Sequence, residues 1–410
     1  MNDTTLIELS RTRIQPGFLG AIARDGVRAR LAGLTEGRLS LRDGGDAVAF
    51  GPGGGLSATI VVHDPSFYAD LVLGGSVGAA ESYMQGAWDA DDLTTLLRLM
   101  LRNRAALDGM EGGVARLTEP LRRFAHVLRR NSRSGSRRNI AAHYDLGNDF
   151  FRLMLDESMM YSCALFERPG MTLAQAQHAK LDRICRSLAL GSSDHVLEIG
   201  TGWGTFAIHA ARNYGCRVTT TTISPSQFEL ARERVREAGL EDRVTLLLED
   251  YRDLSGYFGK LVSIEMIEAI GHAQYGEFFR RTAERLPRGG RMLLQTITIA
   301  DHRYERARGE VDFIKRYVFP GACIPAVSAL CSAMAAESDF RILSLEDIGP
   351  HYATTLARWR DNFFANLDSV RALGFPDSFL RLWEFYLCYC EAGFAEGQIG
   401  DAQILLARES

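Results

Sequence analysis

The sequence predicts an α/β fold: a mostly parallel seven-stranded sheet with helices between its strands, preceded by a smaller mixed α+β domain. Three observations predict it. From residue 141 to 410, short apolar runs alternate with helical patterns, as strand–helix–strand units do. Seven such runs stand out: HVLEIG (195–200), RVTTTTI (217–223), VTLLLED (244–250), KLVSIEM (260–266), GGRMLLQTIT (289–298), RILSLEDI (341–348) and AQILLAR (402–408). The first ends in a glycine-rich loop, Gly200-Thr-Gly202-Trp203-Gly204, which opens the helical run TFAIHAARN.

Taken in order, residues 1–110 read as the smaller domain. GRLSLRDG, DAVAFGPG and GLSATIVVHD are short strands set apart by glycine-rich turns. Leu93, Leu96, Leu97, Met100 and Leu101 follow at helical spacing, with Asp91 and Asp92 where a helix start favours carboxylates. The aromatic piece ESYMQGAW reads as core, with a lipid or partner contact as the alternative. Residues 111–140 form a basic linker. Seven arginines (122, 123, 129, 130, 133, 137 and 138) lie between Leu121 and Asn139 without one acid. That run is either a solvated linker or a surface that docks on anionic phospholipid. Residues 141–410 are the α/β domain.

Composition narrows the classes. The chain has 410 residues, 46% apolar and 24% charged, which excludes disordered, collagen-like and disulfide-scaffold classes. A net charge of −4 does not suggest nucleic acid, and no aromatics interleave with the arginines as stacking would require. The seven cysteines form no CxxC pair and no zinc spacing, so free thiols, no metal and a reducing cytoplasm are expected. No run approaches the ~18 apolar residues of a spanning helix, and MNDTTLIELSRTRIQ lacks the apolar region of a secretory signal.

The glycine loop points to a ligand at the carboxyl edge of the sheet. A lone loop of this kind also describes a tight strand-to-helix turn. Here Glu198 stands two residues ahead of it, which suits a ligand carrying a positive charge and hydroxyls, such as S-adenosylmethionine. A nicotinamide dinucleotide would call for an acid at the end of the second strand, where this chain has Thr222-Ile-Ser224 and then Gln227. Asp250 ends the third strand, either as an adenine acceptor or as a turn residue.

With those residues in view, the chain resembles the cyclopropane-fatty-acyl-phospholipid synthase family, related to the mycolic acid cyclopropane synthases. The segments that carry the resemblance are His143-Tyr144-Asp145-Leu-Gly147-Asn148-Asp149-Phe-Phe, Met160-Tyr161-Ser162-Cys163-Ala, the glycine loop, TTTISPSQ, EMIEAIGH and FPGACIPAV, in that order. It covers residue 139 to the C-terminus and is looser over 1–110, where the bacterial family carries a lipid-handling domain. The resemblance implies a Rossmann-like class I methyltransferase domain that moves a methyl group from S-adenosylmethionine to a cis double bond of a phospholipid acyl chain. It implies that Tyr144, Tyr161, Ser162, Glu198, Gly200, Gly202, Trp203, Gly204, Thr222, Gln227 and Asp250 hold the cofactor. It also implies a homodimer, and work at the inner face of the membrane as a peripheral protein.

That chemistry has stated needs. Attack on the methyl group leaves a carbocation on the chain, so the pocket must be dry, with ring faces or an anion nearby. A base must then take a proton from the new methyl group so that a ring can close. The resemblance implies bicarbonate as that base, in a cage of Cys163 (backbone), Glu268, Gln295, Ile297 (backbone) and Tyr352. Alone, Cys163 and Tyr352 read as core and Glu268 as a helix-start carboxylate. The family commonly has histidine where this chain has Gln295, which can donate a hydrogen bond but cannot relay a proton near neutral pH. A methylene- or methyl-branched product is therefore the alternative to a cyclopropane. A small amine or other alkene as acceptor, and a lipid-binding protein without chemistry, are the rival readings. In DFIKRYVFPGACIP, Lys315 and Arg316 are expected either at a phosphate headgroup or on a solvated face, and FLRLWEFYLCYC (379–390) either in the core or along an acyl chain.

Overall fold

The computed structural model describes residues 18–111 and 146–409, which fall into two compact units. The first holds α1 (Phe18–Leu31), β1 (Gly37–Asp43), β2 (Asp46–Gly53), β3 (Ser57–Val62), α2 (Ser66–Met84), β4 (Trp88–Ala90), α3 (Leu93–Arg102) and α4 (Arg104–Glu111). Its sheet order is β2-β1-β3-β4, with β1 antiparallel to β2, parallel to β3, and β3 antiparallel to β4. Leu39 and Leu41 alternate inward along β1 and are wholly buried. Asp92 caps α3 by accepting from the Thr95 N–H at 2.9 Å. In ESYMQGAW, Tyr83, Met84 and Trp88 are buried, and Trp88 packs against Phe67 and Tyr83, so this piece is core.

The second unit runs α5 (Asn148–Met154), α6 (Leu173–Ser187), β5 (His195–Ile199), α7 (Thr205–Tyr214), β6 (Arg217–Thr221), α8 (Pro225–Glu237), β7 (Val244–Leu247), β8 (Lys260–Ile264), α9 (Ile267–Ile270), α10 (Tyr275–Glu284), β9 (Arg291–Ile299), α11 (Asp301–Gly309), α12 (Val327–Glu337), β10 (Phe340–Asp347), α13 (Gly349–Ala365), α14 (Leu367–Ala372), α15 (Asp377–Ala395) and β11 (Ile399–Arg408). The seven strands lie in the order β10-β11-β9-β8-β5-β6-β7, and β11 alone runs against its neighbours. Each of the seven apolar runs is a strand. Successive residues of β5 serve opposite layers. Val196 joins the core under α6 and α7, with Ile184 and Phe206, while Leu197 joins the core under α10 and α12, with Phe278 and Leu330.

Order in the sheet sets the site. Strands β5 and β8 are parallel neighbours, so the loops after them emerge side by side at the carboxyl edge, where ligands bind in such sheets. The antiparallel pairing of β9 with β11 sets Gln295 opposite Gln403 and Ile297 opposite Asp401 at the same end. Among the described residues no helix is long and apolar enough to cross a membrane, and all seven cysteines are free.

Candidate active site

After β5 the chain turns through three glycines at positive φ: Gly200 (102°), Gly202 (52°) and Gly204 (83°). Side chains resist this region, so glycine is the residue that lets the turn form. A Cβ on Gly200 would stand 3.3 Å from the Met266 side chain, and one on Gly204 would stand 3.3 Å from Ala231. One on Gly202 would meet nothing within 4 Å, so backbone is open to a ligand there. The Gly200 and Thr201 N–H groups donate to the Thr221 carbonyl at 3.1 and 3.0 Å, which pins the loop to β6.

The expected cofactor residues other than Tyr144 take the following places. Glu198 is buried, and its Oε2 has no hydrogen-bond partner. Burial pushes its carboxyl up to about 8, against the opposing pull of the Thr220 hydroxyl and the Lys180 charge. A buried acceptor with spare capacity under a glycine turn fits S-adenosylmethionine. Trp203 donates to Asn148 Oδ1 at 2.8 Å and packs on Phe151. Thr222 Oγ1 donates to Gln227 Oε1 at 3.0 Å where β6 passes into α8. Tyr161 shares a 2.8 Å hydrogen bond with the Tyr386 hydroxyl and packs on Trp359. Ser162 Oγ accepts from the buried ammonium of Lys180 at 2.6 Å. The two oxygens of Asp250 accept from Nε and Nη2 of Arg252, at 2.8 and 2.6 Å, in a buried ion pair. Tyr144 and the seven arginines of the basic linker lie outside the described residues.

The five expected cage residues divide between two carboxylates. The Cys163 N–H donates to Glu265 Oε1 at 2.8 Å, the Gln295 amide donates to the same oxygen at 2.9 Å, and the Tyr352 hydroxyl donates to Glu265 Oε2 at 2.6 Å. Glu268 Oε1 instead accepts from the Ile297 N–H at 2.6 Å and the Thr296 hydroxyl at 2.8 Å, while its Oε2 is buried without a partner. The Gln295 amide is fixed by its surroundings: its Nε2 also donates to Asp401 Oδ2 at 2.9 Å, and its Oε1 accepts from Gln403 at 3.1 Å. Every donor that the resemblance assigns to bicarbonate is thus engaged by a carboxylate of the chain itself. These residues do not fit a further small anion at that place, and no step is drawn through one.

Burial dominates the electrostatics. Glu265 and Asp401 are both held above the ordinary carboxyl range, first by burial; for Asp401 the Glu265 and Glu268 charges add to this. Glu268 is pushed up to about 8, by burial and then by the Glu265 charge. Glu265 accepts three donors, which favour its ionised form over its neighbours'. Lys180 is pulled down to about 8 by burial, while Glu265, Cys163 and Asp401 draw it back up. The Cys163 thiol and the Tyr352 phenol are held well above their usual values, first by burial, so both stay protonated.

These shifts have a stability consequence. Glu198 and Glu268 keep their protons to about pH 8 in the folded protein, against an unfolded value of 4.5. Between those values the folded state binds more protons, so stability is greatest below about pH 4.5 for these groups and is lost as pH rises toward 8. Thermal melts of the ligand-free protein are expected to fall across that window. Glu268→Gln should flatten the slope by up to about 1.4 kcal/mol per pH unit; an unchanged slope would show that Glu268 ionises normally.

Sequence reasoning passed over Glu265, though it lies in the quoted EMIEAIGH segment. Its signal was an acid placed directly after an apolar strand. The structure adds a non-glycine residue at φ 47°, a conformation that concentrates at functional sites. Lys180, Asp401 and Gln403 carried no such signal. Two segments expected on the substrate side take these places. Lys315 is buried and donates to the Ala307 and Glu310 carbonyls at 2.5 and 2.8 Å, so it closes the end of α11 and does not meet a headgroup. In FLRLWEFYLCYC, Leu380, Trp383, Phe385, Tyr386 and Leu387 are buried in α15.

A family model described as mycolic acid cyclopropane synthetase matches residues 131–404. The chain is 38% identical over 376 residues to the tuberculostearic acid methyltransferase UfaA1 of Mycobacterium tuberculosis (strain ATCC 25618 / H37Rv), covering 89% of this chain and 86% of that protein. It is 36% identical over 358 residues to the cyclopropane-fatty-acyl-phospholipid synthase of Escherichia coli (strain K12), covering 87% of this chain and 89% of that one. The crystal structure of the mycolic acid cyclopropane synthase CmaA1 with SAH and CTAB superposes with a TM-score of 0.62 at 32% identity, over 66% of this chain and 98% of that chain.

Proposed function

The chain belongs to the mycolic acid cyclopropane synthetase family and is an S-adenosylmethionine-dependent methyltransferase, and from that premise we propose that it methylates the cis double bond of an unsaturated phospholipid acyl chain. The observation that carries this reading is the carboxylate group of half-buried Glu265 with buried Glu268 and Asp401 beside the glycine turn, with the aromatic rings of Tyr161, Trp359 and Tyr352 next to it. When bound, the cofactor supplies an electrophilic methyl group. The chain's own residues supply the rest: ring faces and buried negative charge suit a carbocation, and a dry wall keeps water from trapping it.

Loss of one proton from the cation gives either a cyclopropane or a methylene branch, according to which C–H bond yields. A saturated methyl branch needs a hydride donor in addition. The basic run 121–139 favours a membrane-bound substrate over a soluble amine, because each basic residue near an anionic surface contributes about 1 kcal/mol.

The test is transfer of labelled methyl from S-adenosylmethionine to vesicles of unsaturated phospholipid, with mass spectrometry of the released chains. A gain of one CH₂ unit is expected, and saturated vesicles should gain none. Transfer to soluble amines alone would overturn the reading. Replacing the arginines at 129, 130, 133, 137 and 138 by glutamine should weaken binding to anionic vesicles at low salt; equal binding would remove the membrane-docking part.

A further inference from the structure

We infer that the Glu265 carboxylate is the base of this site and takes the place that the family resemblance gives to a bound bicarbonate. This rests on the methyl-transfer reading above and deepens it. Three donors that would hold a small planar anion, the Cys163 N–H, the Gln295 amide and the Tyr352 hydroxyl, converge at 2.6–2.9 Å on the two oxygens of one side chain. A carboxylate has about four acceptor positions. Oε1 accepts two of these and Oε2 only the Tyr352 hydroxyl. The Asp401 carboxyl is a further hydrogen-bond partner of Glu265, and Oε2 is the oxygen with fewer of the three donors and the one assigned to take a proton.

The position matches the task. Glu265 follows β8 directly and precedes Met266, the residue against which a Cβ on Gly200 would press. Its donor Cys163 adjoins Ser162 and Tyr161, both expected at the cofactor. Gln295 suits a permanent carboxylate partner. It is held as a donor by Asp401 and Gln403, and it brings no charge that would compete for the proton.

The step balances without an added reagent. The π pair of the alkene forms the new bond to the methyl carbon as the carbon–sulfur bond breaks and sulfur keeps its pair. The adjacent carbon is left as a cation. A proton then leaves a neighbouring C–H bond to Glu265 Oε2, and the pair of that bond closes the ring or forms the methylene double bond. The proton passes from the Glu265 carboxyl to solvent before the next turnover.

The experiment compares the wild-type protein with Glu265→Gln and Glu265→Gly, each in carbon-dioxide-free buffer and with added bicarbonate. Glycine suits the φ of 47° and removes the carboxylate, while glutamine keeps the shape. Wild-type turnover should not depend on bicarbonate. Glu265→Gln should lose turnover by about 10²–10⁴-fold, as loss of a general base does, with S-adenosylhomocysteine affinity kept and no rescue. Glu265→Gly should lose turnover and regain it with bicarbonate.

A second readout needs no turnover: line broadening of ¹³C-bicarbonate should appear with Glu265→Gly and not with the wild type. Bicarbonate-dependent wild-type activity, wild-type binding equal to that of Glu265→Gly, or full activity in Glu265→Gln would each overturn the inference. If the wild type methylates no lipid, the substrate reading fails, and the binding comparison still decides whether Glu265 fills the anion's place.

Discussion

Gly200→Val is expected to lower affinity for S-adenosylhomocysteine at least about 100-fold, some 2.7 kcal/mol, with the fold retained. Two independent costs act at this position. The backbone sits at φ 102°, which a β-branched residue strongly resists. The new Cβ would also start 3.3 Å from Met266, and the two γ-methyls of valine would add to that contact. The turn can relieve both only by shifting, and the shift moves the backbone that faces the ligand. Gly202→Ala separates strain from crowding. Its Cβ meets no protein atom within 4 Å, so the protein bears only the conformational cost of about 1–2 kcal/mol. A loss of affinity beyond that amount reports the ligand's own approach to Gly202. Calorimetric titration with S-adenosylhomocysteine, beside circular dichroism, makes the measurement. Unchanged affinity in Gly200→Val would reduce the loop to an ordinary strand-to-helix turn.

The contrast between Gly200 and Glu265 shows how far a sequence carries. Glycines before a helix signal themselves, because other residues rarely adopt positive φ values. The seven strands were equally legible: the central ones, buried on both faces, read as apolar runs, and the edge strand β10, exposed beyond Phe340, still carries Ile342, Leu343 and Leu345. Three helices of the first unit, α1, α2 and α4, escaped notice. Helix α2 buries residues around much of its circumference, among them Phe67, Tyr68, Val77, Ala80 and Tyr83, and carries Gly75 at φ 58°. It therefore shows no apolar stripe to detect. Family resemblance brought the cage residues to attention but not their division between two carboxylates. That division depends on side-chain reach across β8, β9 and α13, which no spacing encodes. Lys180 is the extreme case: in QHAKLDRI it reads as a solvated helical lysine, yet it is wholly buried.

Lys180→Met is therefore the second variant with a large expected effect. Methionine fills a similar irregular space without charge. In the native protein the ammonium donates to Ser162 Oγ at 2.6 Å and acts on Glu198, Glu265 and Asp401, in each case favouring the ionised carboxylate. At an effective dielectric of about 20, one such charge contributes on the order of 1–2 kcal/mol to its neighbours, which is about one pH unit. Without it, each acid holds its proton to higher pH. The acidic limb of the pH–rate profile, where Glu265 must be ionised, is expected to move up by about one unit. Turnover near neutral pH should then fall about tenfold and recover on the alkaline side. Stability carries a second signature. Lys180 is depressed to about 8 from 10.5, so the unfolded chain binds more protons between those values and wild-type stability rises with pH there. Lys180→Met should lack that rise. A profile that is uniformly lower and not displaced would assign Lys180 to holding Ser162 in place, with the charge on Glu265 set by its three donors alone.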